Sequence, residues 1–253
     1  MARIKSDKDI KLLREGGKRL ASILAKVAKA VKVGVTTAEL DELARTLVEK
    51  GGDKPSFLYY TPEGIRRPYP ASLCVSVNEE VVHGIPGNKK IKNGDVVTVD
   101  LGLNHKGLFT DHAVTVVVGK ATKEIQNLID GTKKAIAAGI KAAKPKATTG
   151  DVGYAIEKVL REHKLGVVKV LAGHGVGHAV HEEPFVPNYG TPGTGTSLTP
   201  GMVIAIEPMA TLGSGRVRVL ADEYTYITSD QKTAAHFEHT VLITEKGNEV
   251  LTK

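Results

Sequence analysis

The sequence predicts an α+β fold, and three observations predict it. Two long stretches with helical spacing are each followed by a break and a second helix that starts at a Thr-Thr pair. Strand-like runs fill most of the remaining chain. No Pro/Gly-rich linker cuts the 253 residues into independent pieces, so one domain spanning 1–253 is expected.

Taken in order, residues 5–31 carry Ile10, Leu13, Leu20, Leu24, Val27 and Val31 on one broad face, as an amphipathic helix requires. Ser6 or Asp7 can cap its start, and Gly34 follows its end. A second helix begins at Thr36, where Glu39 three residues on completes a capping box, and Gly51-Gly52 stops it. Leu73–Val77 is β-rich. Residues 95–104 and 108–118 read as a hairpin around Asn104-His105-Lys106-Gly107. A helix is expected over 122–143, then another from Thr148. Thr36-Thr37-Ala38-Glu39-Leu40 and Thr148-Thr149-Gly150-Asp151-Val152 align at a constant offset of 112 residues. An offset that long predicts two related halves, roughly 5–118 and 122–250, about a pseudo-twofold axis with a site between them. Strands are expected at 166–171, 202–206, 216–220 and 240–243, and a surface loop at 184–201.

Composition narrows the class. With 41% hydrophobic and 25% charged residues the chain reads as an ordinary globular protein. Its one cysteine, Cys74, excludes an internal disulfide framework and predicts no disulfide-linked partner. The N-terminal stretch has no apolar run for a signal peptide or membrane span, so a cytoplasmic location is expected, with no membrane partner. The net charge of +7 is spread along the chain and reads first as a solvated surface; a transient hold on ribosomal RNA is the second reading.

The chemistry resides in charged groups set beside apolar strands. If the hairpin turn centres on His105-Lys106, Asp100 lies directly opposite Asp111. Two opposed carboxylates among Val and Leu repel each other and need neutralising. His174 stands between Gly173 and Gly175, where nothing large shields the imidazole. Glu207 ends the apolar run MVIAIE, and Glu238 opens the run before TVLI. Four carboxylates and one imidazole balance two divalent ions, and the donor set suits Mn, Fe(II), Co or Zn. Two such ions can hold a bridging hydroxide and polarise a carbonyl, which is the chemistry of amide hydrolysis. His112 and His239 each sit one residue from a proposed ligand, so strand alternation turns them to the opposite face.

VSVNEEVVHGIPG, VVTVDLG, FTDHAV, GHGVGHAVHEEP, GMVIAIEPM and FEHTVLIT follow one another in this order. Together they resemble the motifs of type I methionine aminopeptidases, over roughly residues 5–250. The resemblance implies the pita-bread fold, two pseudo-symmetric halves with a curved antiparallel sheet flanked by helices. It implies removal of the N-terminal initiator methionine from nascent chains, with a small second residue preferred, by a monomer using two divalent ions. Asp100, Asp111, His174, Glu207 and Glu238 match the metal ligands, with Asp100 and Glu238 bridging. His83 matches a histidine that approaches the substrate amide, and His181 one that hydrogen-bonds the substrate carbonyl. Glu207 matches a group that also shuttles a proton of the attacking water. Tyr69 and Cys74 match the side-chain pocket. The chain departs from the family in Val180, where an aromatic residue is common, and in having no Trp; Tyr224 falls near the Trp position. Thr110 and His112 also differ from the commonest wording around Asp111.

Two other readings compete. Hydrolases of the same fold that cleave Xaa-Pro bonds share the ligands but usually carry an extra N-terminal domain. A non-enzymatic binding relative would be expected to have lost ligands, and all five are here. A type II enzyme would have a long helical insertion between Glu207 and Glu238, which this sequence lacks.

Overall fold

The computed structural model describes residues 4–253; the first three positions of the expected 1–253 span lie outside the described residues. The first half runs α1 Asp7–Ala30, α2 Thr37–Lys50, β1 Lys54–Pro55, β2 Leu73–Val77, β3 Glu80–Val82, β4 Val96–His105 and β5 Leu108–Val117. The second half opens with α3 Lys123–Ala142, α4 Thr149–Glu162, β6 Gly166–Val167, β7 Ala172–Gly175, β8 Glu182–Pro187 and β9 Val203–Ile206. It continues with β10 Met209–Thr211, β11 Val217–Val219, β12 Tyr226–Thr228, β13 Ala234–His236, β14 Glu238–Thr244 and β15 Gly247–Val250.

The helices begin where side chains satisfy their free N–H groups. Ser6 caps α1 in a reciprocal box with Asp9, Thr36 caps α2 with Glu39, and Thr148 caps α4 with Asp151. Leu40, Ala44 and Val48 of α2 are buried at the same offset as Val152, Ile156 and Leu160 of α4. The 112-residue recurrence in sequence is therefore also a recurrence in packing.

A nine-stranded antiparallel sheet joins the halves in the order β1-β4-β5-β14-β9-β7-β8, with β2 added to β4 and β15 to β14. The seam is β5 against β14, where Glu238 pairs with Ala113 and His239 with His112. Each half packs its helices on one face of the sheet. Leu20, Leu24, Val27, Leu40 and Val48 pack with Val97, Val99, Leu101 and Leu103 of β4. Leu128, Ile136, Val152, Ile156 and Leu160 pack with Ile204, Ile206, Val241 and Ile243. Alternation along each strand sends the intervening side chains to the other face, and that face carries the site.

The structure corrects the sequence reading in three places. The hairpin turn is Lys106-Gly107, with φ of 53° and 90°, so His105 pairs with Leu108 and Asp100 with Ala113. Positive φ at both central residues is the two-residue hairpin geometry, and glycine at the second position favours it. His105 stays in the strand because it is buried and bonded to Asp53 at 2.7 Å. The expected loop at 184–201 begins with strand β8, at the edge of the sheet, where Pro184 and Pro187 are tolerated. The expected strand at 166–171 is only β6, with one further backbone bond from the Val168 N–H to the Met209 carbonyl at 3.4 Å.

Candidate metal centre

Register decides which side chains meet. Asp100 on β4 pairs with Ala113 on β5, and Gly102 pairs with Asp111, so the two aspartates are diagonal neighbours on one face. The register error of the sequence reading was two residues, and a shift of two preserves the face. Ala113 pairs with Glu238, which places the glutamate beside them. Thr240 pairs with Ala205 and Ile204 with Gly175, so Glu207, just beyond β9, and His174, on β7, take the same face. Five side chains from five segments and both halves thus converge by strand parity. Together with His83 and His181 they line one cavity.

Burial is nearly complete at the centre: Asp100, Asp111 and Glu238 are 7%, 4% and 2% exposed. Among the described residues no Lys or Arg lines the cavity to balance them. Burial, then repulsion from Asp111 and Glu207, holds the Asp100 carboxyl well above the usual carboxylate range. Glu207 is raised by burial and Asp111, and Glu238 by burial and all three other acids. Burial pushes Asp111 up to about 7, against the downward pull of the His112 backbone N–H. Buried ionised carboxylates cost several kcal/mol each unless paired, on the order of the penalty expected for any desolvated ion.

These residues fit a divalent cation. Asp111, His174 and Glu238 each bring a donor atom within 4.8 Å of the other two. Asp100 Oδ1 is buried with no hydrogen-bond partner among the described residues. The Nδ1–H of His174 donates to the Gly175 carbonyl at 2.8 Å, which fixes the tautomer and leaves the Nε2 lone pair free, 3.5 Å from Glu207 Oε1. Burial lowers His174 to about 3, so the ring is neutral at pH 7 and can act as a ligand. A shared proton can neutralise one carboxylate pair; a set of four acids beside an inward imidazole lone pair matches metal chemistry better.

The glycines around His174 serve a purpose other than the open approach expected from sequence. A Cβ on Gly173 would sit 2.3 Å from the Ala205 carbonyl oxygen, and one on Gly175 would sit 2.1 Å from that of Glu183. They let β7 close between β8 and β9, which carries the imidazole to the carboxylates.

One wall of the cavity is apolar. Cys74 pairs with Asp100 across β2 and β4, so the wall begins next to the carboxylates. Burial and the neighbouring Asp100 push the Cys74 thiol up, keeping it a neutral, soft surface. Tyr69 meets Tyr224 edge to face at 5.1 Å, and its hydroxyl donates to the Gly84 carbonyl at 3.0 Å. Val180 packs in the same cluster with Phe57 and Ala71. His83 adopts φ of 59°, which turns its ring into the cavity; burial and His181 lower it to about 4.

Phe57, Tyr60 and Pro62 also line the cavity and were not anticipated. They lie in a segment with neither helical nor strand periodicity, so no pattern marked them. His236 was missed as well. It is 1% exposed, its Nε2 lies 3.5 Å from Glu207 Oε2, and neither ring nitrogen has a hydrogen-bond partner among the described residues. Its position two residues before Glu238 was the available signal, since equal parity points both inward. As expected, His112 and His239 face the other side, stacked at 4.6 Å, and His112 Nδ1 hydrogen-bonds the Glu238 carbonyl. His178 points elsewhere, toward Asp9.

Comparison with known proteins agrees with this geometry. The model of metallopeptidase family M24 matches residues 11–245. Methionine aminopeptidase 1 of Bacillus subtilis (strain 168) is 41% identical over 249 residues, 98% of each chain. Methionine aminopeptidase of Aquifex aeolicus (strain VF5) is 43% identical over 252 residues, covering 98% of this chain and 97% of the relative. The crystal structure of methionine aminopeptidase from Thermotoga maritima superimposes with a TM-score of 0.95 at 42% identity, over 100% of both chains. Prolidase from Pyrococcus furiosus superimposes with a TM-score of 0.80 at 25% identity, over 99% of this chain but 65% of that one. The fold is the pita-bread fold, with its curved antiparallel sheet and flanking helices.

Proposed function

The chain belongs to metallopeptidase family M24, and from that premise we propose that it removes the N-terminal methionine from peptides and nascent proteins, preferring a small second residue. The observation that carries this reading is one cavity that holds both a cluster of metal-ligand side chains and an apolar wall of Phe57, Tyr69, Cys74 and Tyr224. The wall suits an unbranched thioether side chain, and the cluster beside it suits hydrolysis of the bond that follows.

Asp100, Asp111, His174, Glu207 and Glu238 would hold two divalent ions, drawn from Co, Mn, Fe(II) or Zn. Bound there, the ions supply Lewis acidity and a nucleophile at neutral pH. His83 approaches the substrate amide from the first half, and His181 reaches the substrate carbonyl from the second. Glu207, between His174 and His236, accepts and passes on a proton of the attacking water. The chain works as one catalytic domain of two related halves, as a monomer in the cytoplasm, and its basic surface allows a transient hold on the ribosome. The Xaa-Pro reading is the weaker one: the prolidase is 25% identical, against 41–43% for the methionine aminopeptidases.

Anaerobic release of methionine from a Met-Ala-Ser peptide tests the reading. Activity is expected to vanish on chelation and to return with at least one of Fe(II), Mn, Co or Zn added separately. Release that survives exhaustive chelation, or that no ion restores, would refute it. Ribosome binding is expected to weaken steeply with salt; a salt-independent hold would remove the electrostatic part.

A further inference from the structure

The segment between β1 and β2 folds back on itself and lines the cavity with Phe57, Tyr60, Pro62 and Tyr69. Its base is closed by two backbone hydrogen bonds, Tyr59 N–H to the Tyr69 carbonyl and Tyr69 N–H to the Tyr60 carbonyl, both 2.8 Å. Tyr59 adopts φ of 65°, a left-handed conformation unfavourable for an aromatic residue, so the surrounding contacts must hold it. From the second half, the Tyr224 hydroxyl donates to the Arg67 carbonyl at 2.5 Å and lies 3.3 Å from the Tyr60 carbonyl. The segment is thus tied across the cavity to the opposite half. What this fold-back delivers is Tyr60, whose hydroxyl lies 2.8 Å from Nδ1 of His181, the rings tilted at 52° and 5.3 Å apart.

From this contact we propose that Tyr60 is a positioning residue: its hydroxyl holds the His181 imidazole with Nδ1 as acceptor, so that Nε2 carries the proton. The direction follows from the chemistry of the pair. A phenol is the stronger proton donor and a neutral imidazole nitrogen the stronger acceptor, so the O–H donates to Nδ1. Burial raises the Tyr60 phenol above its ordinary value, so it keeps its proton at neutral pH. His181 lines the cavity while remaining partly exposed to solvent. Its other neighbour is the His174 ring, met edge to face at 4.4 Å, which supplies no hydrogen bond. With Nδ1 occupied, the Nε2–H is the donor left for an oxygen that gains charge during the reaction. This deepens the aminopeptidase reading and rests on it where His181 is assigned to the substrate carbonyl.

Tyr60→Phe removes one oxygen and leaves the ring, so the fold is expected to survive; circular dichroism and melting temperature check this. The kcat for Met-Ala-Ser is expected to fall about 3- to 12-fold with KM nearly unchanged, the span of a single net hydrogen bond. In a His181→Ala background the same substitution is expected to have no further effect, because its target is gone. Independently of turnover, the ¹⁵N resonances of His181 are expected to lose the hydrogen-bonded acceptor signature at Nδ1 in Tyr60→Phe. Unchanged kcat together with unchanged ¹⁵N shifts overturns the proposal while leaving the aminopeptidase reading intact. An equal loss with and without His181 also overturns it. If the unaltered protein releases no methionine, the parent reading fails, and the ¹⁵N comparison still decides whether Tyr60 sets the tautomer.

Discussion

Replacing Asp111 with Asn is expected to stabilise the metal-free protein at alkaline pH while destroying its use for cations. Asp111 is 4% exposed, and burial raises its carboxyl from 3.8 to about 7. A carboxyl whose pKa is higher in the folded state favours folding most at low pH, where both states are protonated. That advantage is lost as pH rises from the unfolded value toward the folded one, here between about 4 and 7. The full loss for a shift of roughly three units is about 4 kcal/mol, and about 2–3 kcal/mol of it falls between pH 5 and pH 8. For a chain of this length that corresponds to about 5 °C in melting temperature. Asn fills the same space and cannot ionise. In chelator, the melting temperature of the unaltered protein is therefore expected to fall about 5 °C more than that of Asp111→Asn on going from pH 5 to pH 8. Adding Mn or Co at pH 8 is expected to raise the unaltered protein's melting temperature and leave the variant's nearly unmoved. Differential scanning calorimetry reads both. Parallel pH profiles for the two proteins would refute the argument, and so would a variant less stable than the parent in chelator at pH 8.

Asp100→Asn and Glu207→Gln are each expected to lower methionine release by at least about 100-fold with an unchanged circular dichroism spectrum; near-full activity in either would remove it from the metal set. His181→Ala is expected to lower turnover about 100-fold while metal affinity, read by chelator competition, stays within a few-fold. His236→Leu is expected to weaken metal retention about 10-fold, because Glu207 loses the imidazole beside Oε2, and His236→Gln, which keeps an N–H, is expected to recover most of it. Equal retention in the Leu and Gln variants would leave His236 a packing residue.

Much of the frame was legible because local chemistry and global packing agree in it. Thr36 and Thr148 read as helix starts from one residue type and an acid three positions on, and both caps form as read. The hairpin was legible as a hairpin, but its register was not. The sequence leaves His105 free to be a turn residue; only the buried contact with Asp53 in another segment shows it belongs to the strand. The short strands β3, β10, β12 and β13 run three residues each, too few to display alternation. The segment holding Phe57, Tyr60 and Pro62 was opaque for another reason. Its conformation is set by contacts with Tyr224, 157 residues away from Arg67, and no local pattern encodes a partner that distant.

The place of the site follows from the way the halves share the sheet. His83, Asp100 and Asp111 come from the first half; His174, His181, Glu207 and Glu238 come from the second. Neither half alone assembles the acidic cluster, because Glu238 reaches the aspartates only through the β5–β14 seam. A seam that buries several acids is unfavourable by itself, and exposing it would relieve their repulsion. What holds it closed lies on the other face. The Val97-to-Leu103 face of β4 is sealed by α1 and α2, and Ile204, Ile206, Val241 and Ile243 are sealed by α3 and α4. The same alternation that turns four carboxylates inward thus turns branched aliphatic side chains outward beneath the helices. Those two aliphatic cores are coupled to the acids through the same strands, so the acidic seam stays closed as a high-energy surface that a cation can relieve.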